Sequence, residues 1–319
     1  MFVSGPSDVF HAHPGRSSDP RQAKGEGGAY TDHFGCTFDV LNTRTMGQPT
    51  DFPVPDIRDL DRYRFPDPLD SARLDPIGEA LREAGDLYVT CDLIWFTFFE
   101  RMHFLHGFAE TLEDLYLERD LMERLADRVM DYNVASVREL DRRYHGRIHG
   151  ITMSDDWGSQ SATFISGGMF EDFFVPRYRR LFDEIRERGM HVWLHSCGMV
   201  VDFIPPLIKA GVQVLNLQQP RIFDLPELGA RFAGSVCFNV PVDIQATMPS
   251  GTRGEIREEA AMLVRNLCTD RGGFIASEHP DYRGNGIDPV SGTWAYQAFQ
   301  EADPYAGERR AGAQARKAP

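Results

Sequence analysis

Residues 190–218, MHVWLHSCGMVVDFIPPLIKAGVQVLNLQ, contain the pattern that decides the fold. The segment that ends at His195 predicts a strand, the next dozen residues predict a helix that stops at Gly211, and VQVLNLQ predicts a second strand. A strand, a helix and another strand in succession are typical of parallel sheets. Both strands are nearly continuous in apolar residues, which is expected when a sheet is covered on both faces.

The same alternation continues along most of the chain. Helical patterns separate six predicted strands, which are DLYVTCD (86–92), HGITMSDD (149–156), MHVWLHSCG (190–198), VQVLNLQ (212–218), GSVCFNVP (234–241) and GGFIASEH (272–279). We therefore expect an α/β fold, a (β/α)8 TIM barrel that is incomplete or modified at its N-terminal strands. A doubly wound open sheet is the alternative, but no Gly-rich phosphate turn follows its first strand.

The barrel is predicted to occupy residues 31–302 as one catalytic domain. Residues 1–30 are rich in Gly, Pro, Ser and charged residues and predict a flexible lead-in, and residues 303–319 predict a flexible tail. FGCTFDVLN (34–42) and the prolines that follow it, up to Pro68, predict a hairpin-like excursion and then a long loop.

Charge and cysteine content limit the possible function classes. The net charge of the 319 residues is −14, which argues against binding to a phosphate backbone, so no nucleic-acid partner is expected. No apolar run reaches the roughly 18 residues of a membrane helix, so no membrane association is expected either. Five irregularly spaced cysteines do not suggest a disulfide framework, which makes a cytoplasmic location the expectation.

Polar side chains stand at the C-terminal end of every predicted strand. In a barrel these ends meet at one mouth, where active sites are built. Surface polarity distributed without function would not select the same end each time. We therefore expect an enzyme, with candidate residues Asp92, Asp155, Asp156, His195, Cys197, Asn216, Gln218, Asn239, Glu278 and His279.

His195 and Cys197 are the candidates for a metal site. They lie at positions i and i+2 of one strand end, so both side chains point the same way. Imidazole and thiolate are zinc ligands, and Glu278 or His279 at another strand end could supply a further one. The competing interpretation is incidental packing, because a buried cysteine commonly acts as a small apolar residue.

Asp155 and Asp156 are candidates for general acid–base catalysis or for anchoring a substrate, although Asp is also common in caps and turns. The predicted substrate contacts are Trp157, Gln160, Asn216, Gln218 and Asn239. The histidines of the lead-in, His11 and His13, are attributed to composition, and His103 and His106 to packing.

Several of these segments together resemble the uroporphyrinogen decarboxylase superfamily over roughly residues 50–300. The resemblance rests on DLDRYRFPDP (59–68), SDDWGSQ (154–160), FEDFFVPRYRRL (170–181), the His-x-Cys-Gly strand end at 195–198, GVQVLN (211–216), DIQATMPSGTRGEIREE (243–259) and GGFIASEH (272–279). It implies a (β/α)8 barrel.

The superfamily includes metal-free decarboxylases of porphyrinogen acetates and zinc-dependent methyltransferases that work with a corrinoid protein. His195 and Cys197 match the methyltransferase branch, whereas the arginine-rich substrate loop of the decarboxylases has no counterpart among the first 30 residues. The methyltransferases carry a later Cys near residue 279, where this chain has Ser277-Glu278-His279. Two alternatives follow: Glu278 or His279 replaces that ligand, or the site holds no zinc.

The leading hypothesis is a zinc-dependent methyltransferase that moves a methyl group between a corrinoid protein and a thiol or an O- or N-methyl substrate. Its expected cofactor is Zn²⁺, its expected partners are a methylcorrinoid protein and a second copy of the chain, and Asp155 or Asp156 handles protons. The alternatives are a metal-free, decarboxylase-like lyase that uses Asp155 or Asp156, and a barrel scaffold without catalysis.

Overall fold

The structure, a computed structural model, describes residues 7–15, 28–40, 47–279, 281–282 and 284–306. The chain divides into two compact units. The larger unit is Asp8–Asn216, and the smaller unit consists of Met1–Ser7 and Leu217–Pro319. Most of the predicted flexible tail, together with residues 1–6 and 16–27 of the predicted lead-in, lies outside the described residues.

The described residues contain strands and helices in alternation. The strands are β1 (Val9–Ala12), β2 (Gly28–Thr31), β3 (Thr37–Val40), β4 (Gln48–Asp51), β5 (Tyr88–Cys91), β6 (Gly150–Ser154), β7 (His191–His195), β8 (Val214–Asn216), β9 (Cys237–Val240) and β10 (Phe274–Ala276). The α-helices are α1 (Ser71–Ala80), α2 (Phe99–His106), α3 (Phe108–Leu117), α4 (Arg119–Tyr144), α5 (Gly167–Met169), α6 (Val175–Glu187), α7 (Ile204–Ala210), α8 (Leu225–Phe232), α9 (Thr247–Ser250), α10 (Arg253–Leu267) and α11 (Pro289–Ala302).

The larger unit is built on a parallel sheet with the order β1-β5-β6-β7-β8. The smaller unit contains the parallel pair β9 and β10. All six predicted strands are present as β5 to β10, which confirms the predicted succession of parallel βα units. An eighth parallel strand does not occur among the residues that the structure describes.

β1 is a parallel strand that the sequence analysis missed. Val9 pairs with Tyr88 and Ala12 with Cys91 at the edge of the larger unit's sheet. The prediction of a flexible lead-in is therefore wrong for residues 9–12. The four-residue segment VFHA is too short, and its surroundings too rich in Gly, Pro and Ser, for a period-2 pattern to stand out.

The predicted hairpin-like excursion is confirmed as a separate antiparallel sheet of β2, β3 and β4. The Asp32 carboxylate accepts hydrogen bonds from the Phe34 and Cys36 N–H groups, both at 2.9 Å, and so fixes the turn between β2 and β3. Arg101 donates to Asp32 across 2.6 Å in the buried interior below this turn.

The helices that follow β5 and β6 bury their apolar faces, with α6 packed against β7 and α4 packed against α6. α4 buries a continuous stripe that includes Leu125, Val129, Val137 and Leu140, as its 3.6-residue period predicts. Among the described residues, no helix combines the length and the apolar character that crossing a bilayer requires.

Candidate metal centre

Three neighbouring strands of the larger unit end at one edge of the sheet. The parallel register pairs Ser154 of β6 with His195 of β7, and His195 with Asn216 of β8. The residues that directly follow β6 and β7, including Asp156 and Cys197, are therefore close to these strand ends. This arrangement is what the sequence predicted for the polar residues of these three strands.

His195, Cys197 and Asp156 form one cluster at this edge. Cys197 Sγ lies 3.3 Å from His195 Nε2, and Asp156 Oδ1 lies 3.4 Å from the same nitrogen. The three candidate ligand atoms all lie within 4.8 Å of one another. The structure thus brings the predicted pair together and adds Asp156, which the sequence analysis had assigned to acid–base catalysis or substrate anchoring.

The donor set fits a zinc ion. Tetrahedral zinc with bonds of about 2.0 to 2.3 Å holds neighbouring donors about 3.3 to 3.8 Å apart. The separations of Cys197 Sγ and Asp156 Oδ1 from His195 Nε2, 3.3 and 3.4 Å, fall in that range. One imidazole nitrogen, one thiol sulfur and one carboxylate oxygen are all accepted zinc ligands, and three protein donors leave a position for a substrate.

The backbone around Cys197 is held by two contacts. The Cys197 N–H donates to Asp156 Oδ1 across 2.7 Å, which ties the two loops together. Gly198 has φ +85°, and a Cβ atom there would lie 2.0 Å from the Gly158 carbonyl oxygen. Only glycine permits this approach of the two loops.

His195 is fixed on two further sides. Its Nδ1 lies 2.7 Å from Asn216 Oδ1, and its ring stacks on Trp95 with centroids 6.0 Å apart and planes 14° apart. The residue is 9% exposed. Nε2 is therefore the ring nitrogen that faces Cys197 and Asp156.

Acidic side chains are concentrated around the cluster. Glu100, in the first turn of α2, is buried and accepts a hydrogen bond of 2.5 Å from Ser154 Oγ. Burial, and then the nearby carboxylates of Asp156 and Asp155, raise the pKa of Glu100. Burial, followed by the charges of Asp156 and Glu100, likewise raises the pKa of the Cys197 thiol. A bound dication would reverse these effects, because it favours the ionised form of each ligand.

Asp155 is a structural carboxylate. It is fully buried and accepts hydrogen bonds from the Phe98 and Glu100 N–H groups and from Tyr178 Oη, at 2.7 to 3.1 Å. These bonds attach the start of α2 to the end of β6. None of its surface meets solvent, so these contacts account for Asp155 as a structural carboxylate, while its predicted catalytic role stays a prediction. Of the two predicted carboxylates, Asp156 is the one that solvent reaches, with 40% of its side chain exposed.

Replacing Asp155 with Asn is expected to lower the free energy of unfolding by about 1 to 2 kcal/mol at pH 5, because one buried donor loses its acceptor. Burial raises the Asp155 pKa from 3.8 to about 7, although the Tyr178 hydrogen bond opposes this. The folded carboxyl therefore holds its proton more tightly than the unfolded one, and its contribution to stability decreases as the pH rises from about 4 to about 7.

Urea unfolding of wild type and Asp155→Asn across this pH range measures both effects. The stability difference between them should shrink as the pH rises. Asp202→Asn, which makes the same substitution at an exposed position of the same unit, is the control. A stability difference between wild type and Asp155→Asn that grows with pH would contradict the assignment of Asp155 as a structural carboxylate that holds its proton in the folded state.

Trp157 belongs to the interior and does not contact solvent. Its ring stacks on Phe99 at 4.2 Å between centroids, and its Nε1–H donates to Tyr178 Oη across 2.9 Å. These contacts show Trp157 as a packing residue, and its predicted contact with substrate stays a prediction. Gln160 lies exposed in the loop after β6, where its predicted role stays a prediction.

The remaining predicted residues belong to the smaller unit. Glu278 Oε2 accepts a hydrogen bond of 2.8 Å from Tyr282 Oη, and His279 Nδ1 accepts one of 3.0 Å from the Asp281 N–H. Asn239 Nδ2 donates to the Ile275 carbonyl across 3.4 Å. Gln218 is half-buried. The proposals that Glu278 or His279 binds metal, and that Gln218 and Asn239 bind substrate, stay predictions.

The sequence analysis missed one polar pair of the larger unit. His13 Nδ1 lies 2.8 Å from Asp92 Oδ2, just past the carboxyl ends of β1 and β5. His13 had been attributed to composition because β1 was not recognised. Glu100 was missed as well, because it lies inside the aromatic segment FTFFERM, where no strand end marks it.

Comparison with known proteins identifies a family and a shared fold. Residues 30–278 match the family described as uroporphyrinogen decarboxylase (URO-D). No curated protein matches the chain.

A methyltransferase from Methanosarcina mazei shares the fold, with a TM-score of 0.66, 16% sequence identity, and coverage of 84% of this chain and 76% of that one. A 3-keto-D-glucoside 4-epimerase from E. coli is more distant, with a TM-score of 0.44 and 14% identity over 79% of this chain and 96% of its own. The family match confirms the predicted fold class, an α/β fold of the uroporphyrinogen decarboxylase type.

Proposed function

This chain belongs to the uroporphyrinogen decarboxylase family, and we propose that it is a zinc-dependent methyltransferase that acts between a corrinoid protein and a thiol or an O- or N-methyl substrate. The observation that carries the proposal is the cluster of His195 Nε2, Cys197 Sγ and Asp156 Oδ1, whose ligand atoms lie within 4.8 Å of one another. A decarboxylase that works without metal has no need of a thiol beside an imidazole.

His195, Cys197 and Asp156 would hold the metal. When bound, zinc supplies Lewis-acid activation of the substrate heteroatom and lowers the pKa of a bound thiol. Asn216 and Trp95 orient the imidazole, the turn at Gly198 presents the thiol, and Asp156 links the two loops through the Cys197 N–H. The half-exposed Asp156 side chain is the carboxylate placed to meet substrate.

The likeness to the methyltransferase from Methanosarcina mazei supports methyl transfer over the other chemistry of the superfamily. The proposal includes a methylcorrinoid protein as methyl carrier, a small-molecule donor or acceptor, a cytoplasmic location and a homodimer. The location follows from the cysteine content, and the other three come from the family resemblance.

The proposal is tested by metal content together with turnover. We expect about one zinc ion per chain in protein purified without chelator. With methylcobalamin and a panel of thiols, the zinc-loaded protein should form thioethers, detected by mass spectrometry, while the cobalamin spectrum changes. Removal of zinc by a chelator should abolish this activity, and added zinc should restore it.

The alternatives give different results. Metal-free protein that releases CO₂ from a porphyrinogen acetate in an Asp156-dependent manner would replace the proposal with the lyase. A protein that carries out neither reaction, and whose cellular task survives His195→Ala and Asp156→Asn, would identify a scaffold.

A further inference from the structure

We propose that Asn216 is a positioning residue that holds His195 in one tautomer, with the proton on Nδ1 and the lone pair of Nε2 directed at Cys197 and Asp156. The sequence analysis had placed Asn216 against the substrate. The expected effect on metal binding rests on the proposed function, whereas the tautomer itself is a property of the metal-free chain.

The contacts of the His195 imidazole determine which tautomer it adopts. A neutral imidazole has one N–H donor and one acceptor nitrogen. Asn216 Oδ1, an acceptor, lies 2.7 Å from Nδ1, so this nitrogen carries the proton. Nε2 then presents its lone pair on the side where Cys197 Sγ and Asp156 Oδ1 lie 3.3 and 3.4 Å away.

The opposite tautomer would remove the nitrogen donor from the cluster. With the proton on Nε2, the ring would donate to Asp156 or Cys197 and could not bind a metal at that atom. Without a fixed acceptor at Nδ1, this tautomer gains the charge-assisted hydrogen bond to the Asp156 carboxylate. The Asn216 amide is the contact that opposes it.

The sheet makes Asn216 suitable for this role. His195 and Asn216 are direct register partners on β7 and β8, and the Ser196 N–H donates to the Asn216 carbonyl across 3.2 Å. The distance between the two side chains is thus set by backbone pairing. Trp95 stacks on the ring, and His195 is 9% exposed, so water has little access to replace the amide.

The tautomer is measured directly on the metal-free protein. Long-range ¹H–¹⁵N NMR spectra of protein labelled at histidine nitrogens distinguish Nδ1–H from Nε2–H. We expect the Nδ1–H form for His195 in wild type and in Asn216→Asp, which keeps an acceptor oxygen. Asn216→Leu, and Asn216→Ala as a second variant if the first does not fold, should convert His195 to the Nε2–H form or to a mixture.

Gln213→Leu and Gln213→Glu are the matched controls. Gln213 lies directly before β8, and its Oε1 accepts from the Val192 N–H instead of from His195. Both controls should leave the His195 tautomer unchanged. An unchanged Nδ1–H signal in folded Asn216→Leu or Asn216→Ala would overturn the inference.

Zinc affinity, measured by competition with a chromophoric chelator, gives the second readout. Loss of the Asn216 contact should weaken zinc binding by about 10- to 100-fold, and Asn216→Asp should bind as tightly as wild type or more tightly. Equal weakening in Asn216→Asp and Asn216→Leu would indicate a structural effect and overturn the inference.

The proposed function and the positioning role of Asn216 can be disproved independently of each other. If wild type takes up no zinc but shows the expected tautomer change in the variants, the proposed function fails and the positioning role stands. If wild type binds zinc and the Asn216 variants bind it equally well with an unchanged tautomer, only the positioning role fails.

Discussion

Replacing Cys197 with Ala is expected to lower zinc affinity by about 100- to 1,000-fold, because it removes one of a few ligands that together supply roughly 10 to 16 kcal/mol in structural zinc sites. The sulfur lies 3.3 Å from His195 Nε2, at the separation that neighbouring zinc donors require. The variant keeps the Asp156 and His195 donors. Competition with a chromophoric chelator gives the dissociation constants.

The pH dependence of the zinc affinity provides a second test of Cys197 as a ligand. Burial and the charge of Asp156 raise the pKa of the Cys197 thiol, so metal binding must displace its proton. The thiol should contribute about a tenfold gain in affinity for each unit of rising pH, and Cys197→Ala should lose that contribution. Cys268→Ala, in the smaller unit, is the control. Unchanged affinity and slope in Cys197→Ala would contradict the ligand assignment.

Replacing Gly198 with Ala is expected to lower the free energy of unfolding by about 4 kcal/mol and to weaken zinc binding at the same time. Two effects combine at this position. The added Cβ would lie 2.0 Å from the Gly158 carbonyl oxygen, and the φ of +85° is unfavourable for an L-residue. Relief of the clash requires the two loops to separate, which moves Cys197 away from Asp156. Urea unfolding and zinc titration measure the two consequences.

Two control variants separate the clash from the backbone strain. Gly146 also has positive φ, at +71°, but a Cβ there meets nothing within 4 Å, so Gly146→Ala reports the strain alone, about 1 kcal/mol. Gly168→Ala has neither the strain nor the clash and should be close to neutral. If Gly198→Ala cost no more than Gly146→Ala, the close approach of the two loops would be disproved.

The strands could be predicted because each is a short apolar run between helical patterns. The spacing of His195 and Cys197 correctly predicted that they lie close together, although β7 ends at His195 and the bond from the Cys197 N–H to Asp156 holds the cysteine in place. β1 could not be predicted, because the four residues VFHA are recognisable as a strand only from their pairing with β5. His13 was dismissed with it, although its imidazole contacts Asp92.

The sequence also could not predict which of the two adjacent carboxylates, Asp155 or Asp156, faces the cluster. β6 ends at Ser154, so the alternation of side chains ends before Asp155 and Asp156. Tertiary contacts then decide their roles: Asp155 turns inward to the α2 N-terminus and Tyr178, and Asp156 turns to the Cys197 N–H. The burial of Trp157 could not be predicted for a related reason, because an aromatic residue beside a strand end can equally line a cavity or fill the interior.

X-ray absorption at the zinc edge of protein purified without chelator tests the central claim most directly, since it reports the metal and its donors together. The account predicts a four-coordinate zinc with one sulfur at about 2.3 Å and nitrogen or oxygen donors at about 2.0 to 2.2 Å. In Cys197→Ala the sulfur signal should disappear. Protein that carries no zinc, or zinc without a sulfur neighbour, would contradict the account.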